Sequence, residues 1–406
     1  MAAADTSSTE VDWSNLLDDL LGMIRSRVAS HRGRIRFAAV CRSWRAAASR
    51  HLATPALPLL VLSLHVWGER KYGELYRQRK QLYCPEEGKV LRLSVPSKLR
   101  NARFCGTYDG GWIAAMNIWA AATLTIVNLF SGVEVALSGK QKSMAWQGYR
   151  GKQKLIRKII FSEIPTSSGC VLAALTTDQG KVALCRVGCP DEEWTILGCG
   201  TEEFRDVVFH CGALYGLTRR SDKLFKFDIG VYKDGAPTTA HLFDIQWHGS
   251  PNSTKKFTTY IFGLHGKLAM AVMTPWTRNR KPFFKVFELA AKDAHHYEQK
   301  EVRTLGDFAL FLGQTCSSRM VHVQTGGRGI VKKNHIYYSK YSYTMSNEQL
   351  ELWETQLLIV SIGPPDSSPI TNHHRGSDGH PSHRLALHAM EWLGEGDHED
   401  GGYKEL

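Results

Sequence analysis

The chain has 406 residues, 43% of them hydrophobic and 22% charged, with a net charge of +12. That is enough for more than one domain with a sizeable core, and too apolar for wholesale disorder. No apolar stretch is long and unbroken enough to read as a transmembrane helix. The nine cysteines, odd in number and scattered, read as reduced thiols rather than a disulfide framework.

Residues 1–12 are small and acidic; they are expected to be disordered and carry no secretory leader. Two amphipathic helical segments follow, joined by a short basic link. Leu17, Leu20, Leu21, Ile24 and Val28 fall at helical offsets, with Ser14 as candidate cap and Asp18 and Asp19 in the early turns. Arg32 and Gly33 break the period. The second segment runs from about Arg34 through Ala48, with Phe37, Val40, Cys41 and Trp44 on one side. Helices so short, with so much apolar surface, need either the rest of the chain or another protein to cover them.

Thr54, Pro55 and Pro58 end this texture, and from Leu57 the pattern is β. Strand, glycine turn, strand, polar turn, strand recurs. Copies stand at residues 104–132, 171–187, 207–229 and 260–289, with a last one from about 329 to 362. The turns at Gly111, Gly169, Gly212, Gly266 and Asn334 are spaced irregularly but near the repeat of four-stranded propeller blades; a large β-sandwich is the runner-up. After Ile362 a Pro- and Ser-rich linker leads into a His-rich, acidic tail. Within it, Arg384 to Leu393 is expected to form one short helix.

The first segment reads Trp13-Ser14-Asn15-Leu16-Leu17-Asp18-Asp19-Leu20-Leu21-Gly22-Met23-Ile24, and the second contains Arg36-Phe37-Ala38-Ala39-Val40-Cys41-Arg42-Ser43-Trp44-Arg45. Together they resemble the F-box of plant proteins. Leu17 stands where that pattern has proline, and Gly33 stands near its usual aspartate. Further on come Leu129-Phe130-Ser131-Gly132, the run from Arg205 to Leu217, Leu305-Gly306-Asp307-Phe308-Ala309-Leu310-Phe311-Leu312-Gly313, and Lys333-Asn334-His335-Ile336-Tyr337-Tyr338. In this order they resemble the C-terminal domain of plant F-box proteins with a KIB-type, kelch-like β-propeller.

The resemblance implies an α+β multidomain chain: a small N-terminal helical F-box over residues 13–52 and a mainly antiparallel β-propeller over 57–362; the tail over 363–406 lies outside it and is expected from its composition to be flexible. It implies a non-catalytic substrate receptor of a Skp–cullin–F-box ubiquitin ligase in the cytoplasm or nucleus. A Skp-type adaptor would be bound directly, cullin and RING subunits through it, and a target protein by the propeller. Helix-in-groove docking uses residues at i, i+3, i+4 and i+7. The adaptor candidates are therefore Leu16, Leu17, Leu20, Leu21, Ile24, Val40, Cys41 and Trp44, the last a plausible aromatic anchor. Several of these are expected to pack only inside the helical unit.

One cluster lies outside these motifs. Lys140, Lys142, Arg150, Lys152, Lys154, Arg157 and Lys158 occur without an acid among residues 140–158, with Trp146 and Tyr149 between them. Such a run suits an acidic ligand, with nucleic acid the alternative partner and a protein target favoured over it. A solvated loop between two blades is the plainer explanation. The tail histidines 373, 374, 380, 383 and 388 lie in a Gly-, Ser- and Pro-rich segment unsuited to a fixed metal geometry. Gly326-Gly327-Arg328-Gly329 lacks the rest of a phosphate loop, and no catalytic set is found. No metal or cofactor is expected.

Overall fold

The computed structural model describes residues 13–28, 31–51, 59–67, 80–84, 89–91, 95–99, 102–117, 123–143, 156–176, 180–189, 193–197, 201–219, 223–229, 240–246, 258–273, 284–323, 331–339, 341–346, 349–360, 387–391 and 404–405. The expected disorder of residues 1–12, the glycine cluster at 326–329, histidines 373, 374, 380 and 383, and most of the tail lie outside these residues. The chain divides into two compact units, at Leu57/Pro58.

The first unit has three helices: α1 (Asp18–Arg27), α2 (His31–Ala39) and α3 (Arg42–Arg50), behind a single 3-10 turn at Trp13–Asn15. The single second helix expected from periodicity is thus two. Cys41, at φ −160°, is extended and separates α2 from α3. Ser14 does not cap α1; the N-cap is Leu17, which offers no side-chain acceptor. Ser14 instead gives its carbonyl to the Ser43 hydroxyl at 2.8 Å, tying the opening turn to α3. Leu21, Phe37 and Ala47, one from each helix, form a small core, with Leu16, Ile24, Val28, Trp44 and Ala48 packed around it. A polar clamp closes the far end: Asp18 receives Arg50 at 2.6 Å and His51 at 2.8 Å. Gly22 makes this possible, since a Cβ there would lie 2.6 Å from the His51 ring.

The second unit is built almost wholly of strands. Its first sheet holds β1 (Leu59–Trp67), β2 (Lys80–Cys84) and β3 (Lys89–Leu91); the second holds β4 (Arg103–Tyr108), β5 (Trp112–Asn117) and β6 (Thr123–Asn128). After the one-turn helix α4 (Gly139–Lys142), the third contains β7 (Ile156–Phe161), β8 (Val171–Thr176), β9 (Val182–Arg186) and β10 (Thr195–Ile196). Next come β11 (Phe204–His210), β12 (Ala213–Thr218), β13 (Lys223–Asp228) and β14 (Ala240–Gln246), then β15 (Thr258–Leu264), β16 (Lys267–Met273), β17 (Phe284–Ala291) and β18 (His296–Glu301). These two meanders join edge to edge through a parallel pairing of β14 with β18. A last sheet has β19 (Phe308–Leu312), β20 (Arg319–His322) and β21 (His335–Ser339). Finally β22 (Tyr341–Ser346) and β23 (Gln349–Val360) return to the first sheet, and β24 (Leu387–Glu391) and β25 (Lys404–Glu405) extend the last. The helix expected over Arg384 to Leu393 is therefore a strand across its described part, paired with β21 from His335↔Glu391 to Ser339↔Leu387.

Apolar packing closes these sheets into a ring. Along β8, Leu172 and Ala174 pack with Cys105 and Ile126 of the second sheet, whereas Val171, Ala173 and Leu175 pack with Val207 and Phe227 of the next meander. Alternate residues of one strand thus serve opposite neighbours, so the strand reads as an unbroken apolar run. Tyr215 and Leu224 then meet Ile261 and Met270, Phe262 and Val286 meet Leu310 and Ile336, and Phe311 and Tyr337 share one cluster with Leu60, Leu82, Phe104 and Ile113. The circuit is complete, which is a β-propeller. Its latch is β23 on β1, antiparallel from Leu59↔Val360 to Trp67↔Leu352.

Local chemistry supports the hairpins. Cys211-Gly212 and His265-Gly266 are two-residue loops with both φ angles positive, 46° and 74° in the first, 48° and 74° in the second. These are the type I′ angles whose twist matches the flanking strands. Near the axis, Gly106 sits at a bulge in β4, and a Cβ there would come within 2.3 Å of the Ile159 carbonyl oxygen. Only glycine lets β4 approach β7 so closely.

Candidate functional site

The helical unit places the eight adaptor candidates very differently. Leu21 is 1% exposed and belongs to the core, so it does not present itself to a partner. Leu16 and Ile24 pack against that core. Trp44 is used internally too: its ring lies 4.7 Å from Phe37, and its indole N–H donates to the Trp13 carbonyl at 2.9 Å. Cys41 is half-buried, its Sγ 3.0 Å from the Ser43 hydroxyl. Leu17 at 72% exposure, Val40 at 55% and Leu20 remain outward. Trp13 and Met23, which periodicity did not single out, join them as exposed large apolar side chains. Met23 lies six residues beyond Leu17, on α1, and is 48% exposed.

The electrostatics of this unit hold the helices in place. The Asp18 carboxyl is held below its ordinary value, first by the hydrogen bond from Arg50 and then by that from His51. The Arg25 guanidinium lies over the Phe37 ring at 5.8 Å, covering the core from one side.

In the propeller, the described members of the basic run do not share one surface. Trp146, Arg150, Lys152 and Lys154 lie outside the described residues. Lys140 and Lys142 sit on α4, where Ser138 and Gln141 form a capping box; Lys140 pairs with Glu193 at 2.8 Å. Arg157 hydrogen-bonds the Arg205 carbonyl. Lys158 is 0% exposed and its ammonium meets the buried Asp206 carboxylate at 2.7 Å. An external ligand cannot reach Lys158, which is a correction to its place in a surface run. Asp206 also accepts from the backbone N–H groups of Val207 and Ile261, at 2.9 and 3.0 Å. One carboxylate thereby joins β7, β11 and β15, three successive blades.

A cavity of about 300 Å³ opens where five strands, drawn from four sheets, converge. Its wall includes Tyr108 and Asp109 at the end of β4, Phe161 on β7, Val208 and Phe209 on β11, Gly263 on β15, and Arg319 and Met320 on β20. Asp109 and Arg319 form an ion pair across it, linking the second blade to the last. The aspartate side chain is 8% exposed and the arginine 30%. Burial, and then the charge of Asp109, push the Tyr108 phenol above its ordinary range. The His210 ring lies beside Gly263, 3.5 Å from where a side chain there would begin, and burial lowers its imidazole. Sequence reading passed over Asp109 and Arg319, since one looks like a turn residue before Gly110-Gly111 and the other like an ordinary surface cation. Their pairing spans more than half the chain, and no local signal marks it.

Buried thiols near this region are inert. Burial pushes Cys105 up to about 12 and Cys170 up to about 11, so neither is a thiolate nucleophile near neutral pH. Among the described residues, no group of three or more His, Cys, Asp or Glu could hold a metal ion, and no helix is long and apolar enough to cross a membrane.

The model of the KIB1-4 beta-propeller family matches residues 82–360. A provisionally named F-box protein of Arabidopsis thaliana is 22% identical over 347 residues, which cover 82% of this chain and 88% of that protein. Among solved structures, a provisionally assigned 6-phosphogluconolactonase of Bacteroides fragilis is 12% identical, with a TM-score of 0.37 and coverage of 85% of this chain and 94% of that one. A structure described as the Dos1 propeller is 11% identical, with a TM-score of 0.35, covering 72% and 79%.

Proposed function

From the premise that the chain belongs to the KIB1-4 beta-propeller family, we propose that it is the substrate-recognition subunit of a Skp–cullin–F-box ubiquitin ligase. The helical unit docks on a Skp-type adaptor, which connects it to cullin and RING subunits, and the propeller holds a target protein. It acts by proximity, raising the effective concentration of the target near charged ubiquitin, and performs no bond-making step of its own.

One observation carries the reading: among the described residues, the core of the helical unit is Leu21, Phe37 and Ala47, yet Trp13, Leu17, Leu20, Met23 and Val40 are exposed. A monomer gains nothing from such exposure, whereas helix-in-groove docking needs it. Leu17, in the position where the F-box pattern has proline, is the most exposed of the set and supplies apolar contact there. The relative's name as an F-box protein points the same way.

Capture of purified Skp-type adaptors by the full chain tests the proposal. Wild type binds; Leu17→Asp combined with Val40→Asp does not, while its circular dichroism stays unchanged because neither side chain belongs to the core. If the wild-type chain ignores every adaptor offered, the ligase reading falls.

A further inference from the structure

We propose that the axial mouth of the propeller seats a short segment of the target protein in which a carboxylate side chain lies beside an aromatic or aliphatic one; this rests on the receptor reading above.

The mouth has two chemical halves. Ile160, Phe161, Val208, Phe209 and Met320 make an apolar wall, and Asp109 with Arg319 makes a polar one. The pair is asymmetric. Asp109 is held inside, whereas Arg319 is the member whose side chain meets solvent. A guanidinium offers only donors, in a fork that matches a carboxylate. A basic segment would meet this cation first, with the aspartate shielded behind it; an acidic one meets its complement. The apolar wall then takes the neighbouring side chain. A volume of about 300 Å³ has room for one or two side chains. Tyr108, Phe209, Arg319 and Met320 are only half-buried, and Gly263 is exposed. A free small molecule would therefore remain largely wet, where small-molecule sites bury most of their ligand. A peptide avoids that penalty because its flanking backbone lies over the rim.

The test is selection of a random heptapeptide library, displayed on phage, against the full chain, Arg319→Gln and the double variant Asp109→Asn with Arg319→Gln. The double variant removes both charges, so no buried carboxylate is left unpaired if the single variant fails to fold. Wild type is expected to enrich peptides with Asp or Glu beside an aromatic or aliphatic residue by about tenfold or more over the variants, the worth of one charged hydrogen bond. Enrichment without an acidic preference, or a preference that survives in the double variant, overturns the proposal. So does a result in which no peptide is selected but phenylacetate raises the melting temperature of wild type and not of the double variant, which would assign the cavity to free acids. Adaptor capture on the same preparations separates the two readings. Adaptor bound without acidic selection refutes the mouth alone, and acidic selection without adaptor refutes the ligase assignment alone.

Discussion

Asp206→Ala is a severe single perturbation of the propeller. It removes the carboxylate paired with the Lys158 ammonium at 2.7 Å and the acceptor of the Ile261 N–H at 3.0 Å. Breaking a buried pair by removing one partner costs about 3–5 kcal/mol, because the remaining charge has no water to return to. The orphaned backbone N–H costs about 1–3 kcal/mol in its own right. The two overlap, so a loss of about 4–6 kcal/mol is expected, against a total stability of about 5–15 kcal/mol for a domain. The contrast is the double variant Lys158→Met with Asp206→Leu. It leaves no buried charge and should recover most of the loss, retaining only the cost of the Ile261 N–H. Urea unfolding of the full chain, followed by tryptophan fluorescence, measures both. A loss below about 1 kcal/mol for Asp206→Ala, or a double variant as unstable as the single one, refutes the account of this pair as a buried three-blade joint.

Three further outcomes follow from named contacts. Gly106→Ala places a Cβ against the Ile159 carbonyl and should cost about 2–4 kcal/mol, whereas Gly139→Ala, with nothing within 4 Å, should stay within about 0.5 kcal/mol; urea titration distinguishes them. The Asp18 carboxyl has its pKa depressed in the folded unit, so its contribution is whole above the ordinary value of 3.8 and is lost as pH falls below it toward the folded value. Asp18→Asn should abolish that acid limb in helical circular dichroism read against pH. Truncation after residue 347 deletes β23 and leaves β1 with β2 as its one remaining antiparallel partner among the described strands. Limited proteolysis should then cut within the propeller at least about tenfold faster than in the intact chain, since cleavage follows the population of opened forms.

The order of the chain, helices and then a ring of antiparallel strands, was legible because each signal is local. Helical offsets, Gly-containing two-residue turns and runs of β-branched residues all lie within a few positions of one another. What escaped is non-local. The boundary between α2 and α3 at Cys41 interrupts a period that the side chains continue. Strand β7 was absorbed into a basic run, because Arg157 and Lys158 look like surface until Arg205 and Asp206, 48 residues on, are seen to meet them. Likewise Leu21 and Leu20 are adjacent and chemically identical, and only the packing of Phe37 and Ala47 decides which one is turned inward. Strand β24 was misread as helix because Leu387 and Met390 lie three positions apart, a helical offset, and its partner β21 lies some fifty residues earlier in the chain.

The latch between β1 and β23 also sets a timetable. Leu59 leaves the ribosome long before Val360, its partner, exists. At about 5–20 residues per second the interval is roughly 15–60 s. Throughout it the ring stays open, while the helical unit, whose core of Leu21, Phe37 and Ala47 lies within one early stretch of chain, can already fold with Leu17 and Val40 outward. Under the proposed receptor function, the nascent chain would meet an adaptor before its propeller could hold a target, and early docking would shield the exposed apolar side chains while the propeller is still being made.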